Sequence, residues 1–196
     1  HDIVGAILAI TNKKSHNPKT IFQKNPLKSF SEISSIYRKS LNANTIAITG
    51  SSGKTSVKEL TGFCLKKLEK TYFSKKSFNN KYGVPLSIFN APEQSKFAVL
   101  EVGMNKKGEI NYLTKLIRPN LGLITNISYA HIQNFKNLNQ IAKAKGEIIN
   151  NIIHNGTMII NMDDKYYEYF LKKTIKNGLK KITFSKRNHR ADIIFL

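Results

Sequence analysis

The sequence predicts an α/β fold built on a mostly parallel sheet flanked by helices, and three observations lead there. From Thr45 onward, short β-branched apolar runs alternate with segments whose apolar residues recur at helical spacing, the pattern of a parallel sheet with helices on both faces. The first such run, Ile46-Ala47-Ile48, passes into the first helical segment through a glycine-broken turn, Thr49-Gly50-Ser51-Ser52-Gly53-Lys54-Thr55-Ser56. The 196 residues are 40% hydrophobic, enough for one good-sized core. No apolar run approaches the roughly 20 residues of a membrane span.

Taken in order, the chain opens on an apolar run, Ala6-Ile7-Leu8-Ala9-Ile10, that reads as a strand, followed by a polar break through Pro18. Thr20-Ile21-Phe22 reads as a second strand. Apolar residues at i, i+3 and i+4 in Ser31–Arg38 predict a helix. Leu41-Asn42-Ala43-Asn44 is a linker by composition, so residues 1–42 are expected as the remnant of a small α/β domain and 43–196 as a larger one. In the larger unit the runs at 45–49, 71–73, 97–102, 121–125, 157–161, 180–184 and 192–196 predict strands. Helical periodicity covers 54–69, 108–117, 138–154 and 164–177. Ligands of such sheets bind beyond the carboxyl ends of the strands. That rule selects four loops, Gly50–Thr55, Glu101–Asn105, Asn126–His131 and Asn161–Asp164, and expects them to face one crevice.

A strand, a tight glycine-rich turn and a helix N-terminus form a phosphate cradle, because successive backbone N–H groups and the positive end of the helix dipole point at one anion. Thr49, Gly50, Ser51, Ser52, Gly53, Lys54, Thr55 and Ser56 are the binding candidates. Lys54 would reach the terminal phosphates of a nucleotide, and the Thr55 hydroxyl is placed for Mg²⁺. Position 48 is Ile where the standard P-loop has Gly. An ordinary Gly-Ser turn followed by a chance Lys-Thr is the alternative.

Three further residues stand out. Glu101 ends the run Phe97-Ala98-Val99-Leu100, where an acidic residue beside a P-loop is a usual Mg²⁺ ligand; a solvated or capping carboxylate is the other reading. His131 follows strand 121–125 on a phosphate-side loop, and its position rather than its identity points to function. A satisfied structural histidine remains open. Lys145, in Ala144-Lys145-Gly146-Glu147, is a solvated helix lysine on one reading and a site residue on the other.

The formal charge of +20 invites nucleic acid as a partner. Against it, Arg occurs only at 38, 118, 187 and 190, the Lys residues are spread over every segment, and basic and aromatic residues do not interleave. No nucleic acid is expected; attraction to acidic small molecules follows from the same charge. Cys64, the single cysteine, falls among the apolar residues of the first helix and is expected as a small core residue in a reducing, cytoplasmic compartment. The N-terminal run lacks a basic leader and a cleavage site, so no signal peptide is read. The chain starts on His1 and ends on Ile193-Ile194-Phe195-Leu196, and a fragment of a longer protein is expected.

The combination is more specific than its parts. Thr49–Thr55, Asn79-Asn80 with Gly83-Val84-Pro85, Glu101-Val102-Gly103-Met104-Asn105 with Gly108-Glu109-Ile110, Thr125-Asn126 with Ala130-His131, and Ala144-Lys145-Gly146-Glu147 come in the order and spacing of the Mur ligases, which the chain resembles over roughly residues 20–165. Within that family the Glu-Val-Gly-Met-Asn run and Ala130 resemble the branch that adds D-alanyl-D-alanine. The resemblance implies an ATP-dependent ligase that activates the carboxylate of a UDP-N-acetylmuramoyl-tripeptide as an acyl phosphate, for attack by the amine of D-alanyl-D-alanine. It implies that Lys54 neutralises the β/γ-phosphates, that Thr55 and Glu101 hold one Mg²⁺, and that His131 and a carbamylated Lys145 serve a second. Carbamylation needs a neutral amine, which a partly buried lysine would supply. Asn80 matches a family asparagine near the γ-phosphate. The family is three-domained, so the resemblance implies part of a UDP-binding domain, an incomplete central ATP-binding domain, no C-terminal domain, and a monomer. Alternatives kept open are another Mur ligase or a folylpolyglutamate synthase-type ligase, and a basic P-loop nucleotide- or nucleic-acid-binding module.

Overall fold

A computed structural model describes residues 9–129 and 134–195. The chain runs β1 (Ala9–Thr11), β2 (Thr20–Phe22), α1 (Pro26–Ser40), β3 (Asn44–Thr49), α2 (Lys54–Lys66), β4 (Thr71–Phe73), α3 (Gly83–Phe89), β5 (Phe97–Glu101), α4 (Glu109–Ile117), β6 (Leu121–Ile124), α5 (Leu138–Lys145), β7 (Thr157–Asn161), α6 (Tyr167–Lys176), β8 (Lys180–Ser185) and β9 (Ile193–Ile194). β1 and β2 pair in parallel as a separate two-stranded sheet. The other seven strands form one sheet in the order β4-β5-β3-β6-β7-β8-β9, with every pair parallel.

The order decides which face each helix covers. The chain steps back across the sheet from β3 to β4 and forward at every later crossover. Right-handed connections therefore put α2 on one face and α3 to α6 on the other. The core lies on the α3–α6 side, where Val84, Ile88, Ile110, Leu113, Ile117, Ile141, Ile148 and Phe170 close over Ala47, Leu100, Ile124 and Met158. α1 packs across α3 and α4. Tyr37 Oη donates to the Ala91 carbonyl at 2.9 Å and Arg38 Nε to the Ile117 carbonyl at 2.7 Å.

The expected strands and the larger helices are present within a few residues, residues 6–8 of the first expected strand and 196 of the last lying outside the described residues, and four details differ. α1 begins at Pro26 rather than 31, because Asn25 caps Lys28 N at 3.1 Å and proline suits the first helical position. The helix expected over 138–154 is α-helical only to Lys145 and tightens to a 3₁₀ turn over Gly146–Asn151, starting at the glycine. α3 was not among the expected helices; it is short, and its Pro85 lies in the first turn, where no intrahelical N–H is needed. Cys64 is a correction: it is exposed, not a core residue. α2 turns Lys58 and Gly62 inward, and a side chain at 62 would meet the Phe73 ring at 2.4 Å. The opposite row through Leu60, Phe63 and Cys64 consequently faces out. Among the described residues no helix is long and apolar enough to cross a membrane.

Candidate functional site

The glycine-broken turn between β3 and α2 forms as the sequence predicts. Gly50 and Gly53 adopt φ 150° and 76°, and a Cβ at Gly50 would fall 1.8 Å from Thr125 Oγ1, so only glycine lets the loop cross β6 this closely. Gly53 ends the loop in the left-handed region at the N-terminus of α2, which no side chain caps among the described residues. The first-turn amides of α2 are thus donors without intrahelical partners. On the β6 side, Ser51 N donates to Asn126 O at 3.0 Å and Ser51 Oγ to Ser128 O at 2.9 Å. Ser52 N and Oγ both donate to Asn126 Oδ1 at 3.2 Å, and Thr125 Oγ1 donates to Ser52 O at 2.6 Å.

On the α2 side the contacts are made by side chains. Thr55 Oγ1 donates to Glu101 Oε2 at 2.8 Å, and Asn79 Nδ2 donates to Glu101 Oε1 at 2.7 Å. Ser77 Oγ lies 3.2 Å from Thr55 Oγ1. Glu101 is 1% exposed. The pairing places a buried carboxylate and a hydroxyl, both hard oxygen donors, beside the uncapped helix N-terminus. That donor set fits a divalent cation completed by phosphate oxygens. Among the described residues no group of three His, Cys, Asp or Glu could hold a metal unaided.

Two lysines meet at one carbonyl. Lys54 Nζ donates to Gly50 O at 3.0 Å and Lys145 Nζ to the same oxygen at 2.8 Å. Lys145 is 1% exposed. Burial, with the neighbouring Lys54 charge second, lowers its ammonium from 10.5 to about 7. A substantial fraction is therefore a neutral, nucleophilic amine near neutral pH.

The chain's other expected site residues are placed less evenly. Thr49 is buried at the end of β3, and its hydroxyl has no partner among the described residues. Ser56 is exposed on the first turn of α2. Asn80 lines the cleft, but its Oδ1 accepts from Tyr82 N and Gly83 N at 3.0 and 2.9 Å and so caps α3. Asn79, its neighbour, is the one that bonds Glu101. His131 lies outside the described residues.

A cleft of about 790 Å³ opens from Lys54, Thr55 and Glu101 toward Asn80, Tyr82 and Tyr112. It takes residues from the first two of the four expected loops. Of the third, residues 126–129 lie along the same sheet edge on the far side of the glycine-rich loop, and the fourth adjoins them through Asp164, which accepts from Ile127 N at 2.9 Å. Sequence reasoning missed Ser77 and Lys58, and it marked Asn126 as part of a crevice loop without its bonds to Ser52. Glu147, two residues beyond Lys145, turns out to cap α4, accepting from Gly108 N and Asn111 N at 2.9 and 3.1 Å.

Comparison with known proteins agrees with this geometry. Residues 48–195 match the family described as Mur ligase middle domain. The chain is 40% identical over 153 residues to the UDP-N-acetylmuramoyl-tripeptide–D-alanyl-D-alanine ligase of Haemophilus influenzae, covering 76% of this chain and 34% of that protein. Among solved structures it superposes on MurF of Acinetobacter baumannii with a TM-score of 0.86 at 27% identity, over 96% of this chain and 40% of that one. MurF of Thermotoga maritima, solved in complex with ADP, gives 0.81 at 25% identity over 94% and 42%. The chain spans about a third of the length of the curated relatives it matches.

Proposed function

The chain belongs to the Mur ligase family, whose middle domain residues 48–195 match, and from that premise we propose that it handles the nucleotide in an ATP-dependent ligase joining D-alanyl-D-alanine to UDP-N-acetylmuramoyl-tripeptide. The observation that carries the reading is the convergence of Thr55 and Glu101, 46 residues apart, at the uncapped N-terminus of α2 with Lys54 alongside. In the proposed reaction a carboxylate oxygen of the tripeptide attacks the γ-phosphorus of ATP and ADP leaves. The dipeptide amine then attacks the acyl phosphate carbon, and inorganic phosphate departs as the amide forms and the amine loses a proton.

The chain's part in this is alignment and charge neutralisation. The α2 amides and Lys54 bind the phosphates, with Lys54 swinging from the Gly50 carbonyl to the β/γ oxygens. Thr55 and Glu101 would hold Mg²⁺, which neutralises phosphoryl charge when bound. Lys145 and His131 are assigned to a second cation. A lysine with a pKa of about 7 supports carbamylation, since the neutral amine adds to CO₂ with loss of a proton. That turns an ammonium, which would repel a cation, into an oxygen donor. Asn80 is assigned to the cleft side of the γ-phosphate. The domain division is proposed likewise, with residues 1–42 as the end of a UDP-binding domain and 43–196 as the ATP-binding domain. A cytoplasmic location, a monomeric state and a part in peptidoglycan precursor synthesis are proposed with it.

Lys54→Ala in the full-length enzyme tests the reading. The expected result is loss of ATP turnover with the melting temperature unchanged. Near-native phosphate release by a folded variant would overturn the nucleotide site.

A further inference from the structure

Lys58 is a buried charge that the proposed reaction does not use. It lies one helical turn beyond Lys54 on α2, on the same face, and is 0% exposed. An ammonium is taken out of water only where its donors are satisfied. Lys58 Nζ donates to Ser74 O at 2.5 Å and Lys76 O at 2.7 Å, and pairs with Glu59 at 2.8 Å. Its three N–H donors thus have three partners.

Two of those partners are carbonyls of a single loop. Lys76 points its carbonyl inward from a left-handed backbone, φ 49°, which lysine rarely adopts. The next residues of that loop are the ones that meet the cation donors, Ser77 at Thr55 Oγ1 and Asn79 at Glu101 Oε1. Asn79 O also accepts from Gly103 N at 2.7 Å, which ties the loop to the strand end that carries Glu101. Thr55 and Lys58 share the first turns of one helix, so the ammonium fixes the loop relative to the helix on which one cation donor stands. An apolar side chain at 58 would pack α2 against the sheet but could not hold two carbonyls.

We propose that Lys58 is a positioning residue for the cation site: by clamping the Ser74 and Lys76 carbonyls it holds Ser77 and Asn79 against Thr55 and Glu101. The inference rests on the nucleotide-site reading above and adds to it the group that sets the donors' positions. Residues that orient metal ligands typically change metal affinity by 10- to 100-fold when removed, whereas a residue that only glues a helix to a sheet changes the melting temperature and leaves the cation dependence alone.

The test is Lys58→Met in the full-length enzyme, with ATP turnover followed as a function of Mg²⁺. The concentration of Mg²⁺ for half-maximal turnover should rise about tenfold or more, and turnover at saturating Mg²⁺ should fall by less than that. Asn79→Ala should give a similar shift, and adding Lys58→Met to it should change the Mg²⁺ dependence less than twofold, because both act through one contact. An unchanged Mg²⁺ dependence in the folded variant, or shifts that multiply in the double variant, would overturn the proposal. If Lys58→Met does not fold, Lys58→Arg is read the same way, since the planar guanidinium does not reproduce the ammonium's position. Should the wild type show no Mg²⁺-dependent turnover, the nucleotide reading fails and the clamp is tested separately. Hydrogen exchange at residues 76–80 should then quicken at least tenfold in Lys58→Met, and unchanged exchange would overturn the clamp itself.

Discussion

On its β6 side the proposed phosphate loop is held by neutral groups: Ser51 and Ser52 exchange bonds with Asn126 and Ser128, and Gly50 lies against Thr125 with no room for a side chain. On its α2 side the same loop is continued by groups that can change partners: Thr55 and Asn79 on the Glu101 carboxylate, Lys54 on a carbonyl, and Lys58 fixing the loop opposite. On the proposed function, the first side sets the shape of the cradle and the second the chemistry inside it. Damage to the β6 side should therefore appear as lost stability and damage to the α2 side as lost turnover.

The largest effect should come from Gly50→Ala. Its methyl would collide with Thr125 in a backbone conformation that alanine resists, costing about 3 kcal/mol of unfolding free energy in a urea titration. Thr125→Ala in the same chain removes the contacting Oγ1 and should restore part of that loss. Thr55→Val keeps shape and removes the hydroxyl. Turnover of ATP should fall about 10²-fold, with stability changed by only about 1 kcal/mol. A stability loss as large as that of Gly50→Ala would erase the distinction between the two sides.

Lys145 gives a pH-dependent comparison. Its folded-state pKa, about 7, lies below the ordinary 10.5. Between those values the unfolded chain holds more protons, so stability rises with pH, and the burial penalty is fully present below pH 7. In CO₂-free buffer the wild type should gain on Lys145→Met between pH 7 and 10, on the order of a few kcal/mol, as read from paired thermal melts. The smallest effect belongs to Asn126→Ala, which loses three long bonds to Ser52 and should cost about 1 kcal/mol.

Much of this was legible in the sequence because it is local or periodic. The strands at 71–73 and 157–161 coincide with their apolar runs, and the loop at 50–55 is one strand-turn-helix unit whose glycines announce it. The convergence of Glu101 on Thr55 followed from the strand-end rule. What escaped depends on which face a helix turns inward. Cys64 sits among apolar residues that α2 turns to solvent, because Gly62 must pass close to Phe73. Lys58 could not be told from the other lysines of a Lys-rich chain; only its i, i+4 spacing from Lys54 places it on the working face. Asn79 and Asn80 are adjacent, and only the turn into α3 decides which caps the helix and which reaches Glu101.

The central claim is that phosphates and a divalent cation share the site at the N-terminus of α2, with Glu101 as the cation's carboxylate. Calorimetric titration of ATP into the wild type and Glu101→Gln, each with and without Mg²⁺, tests it directly. The account predicts that Mg²⁺ tightens ATP binding to the wild type at least tenfold and has less than a twofold effect on Glu101→Gln. Equal Mg²⁺ dependence in the two proteins would contradict it.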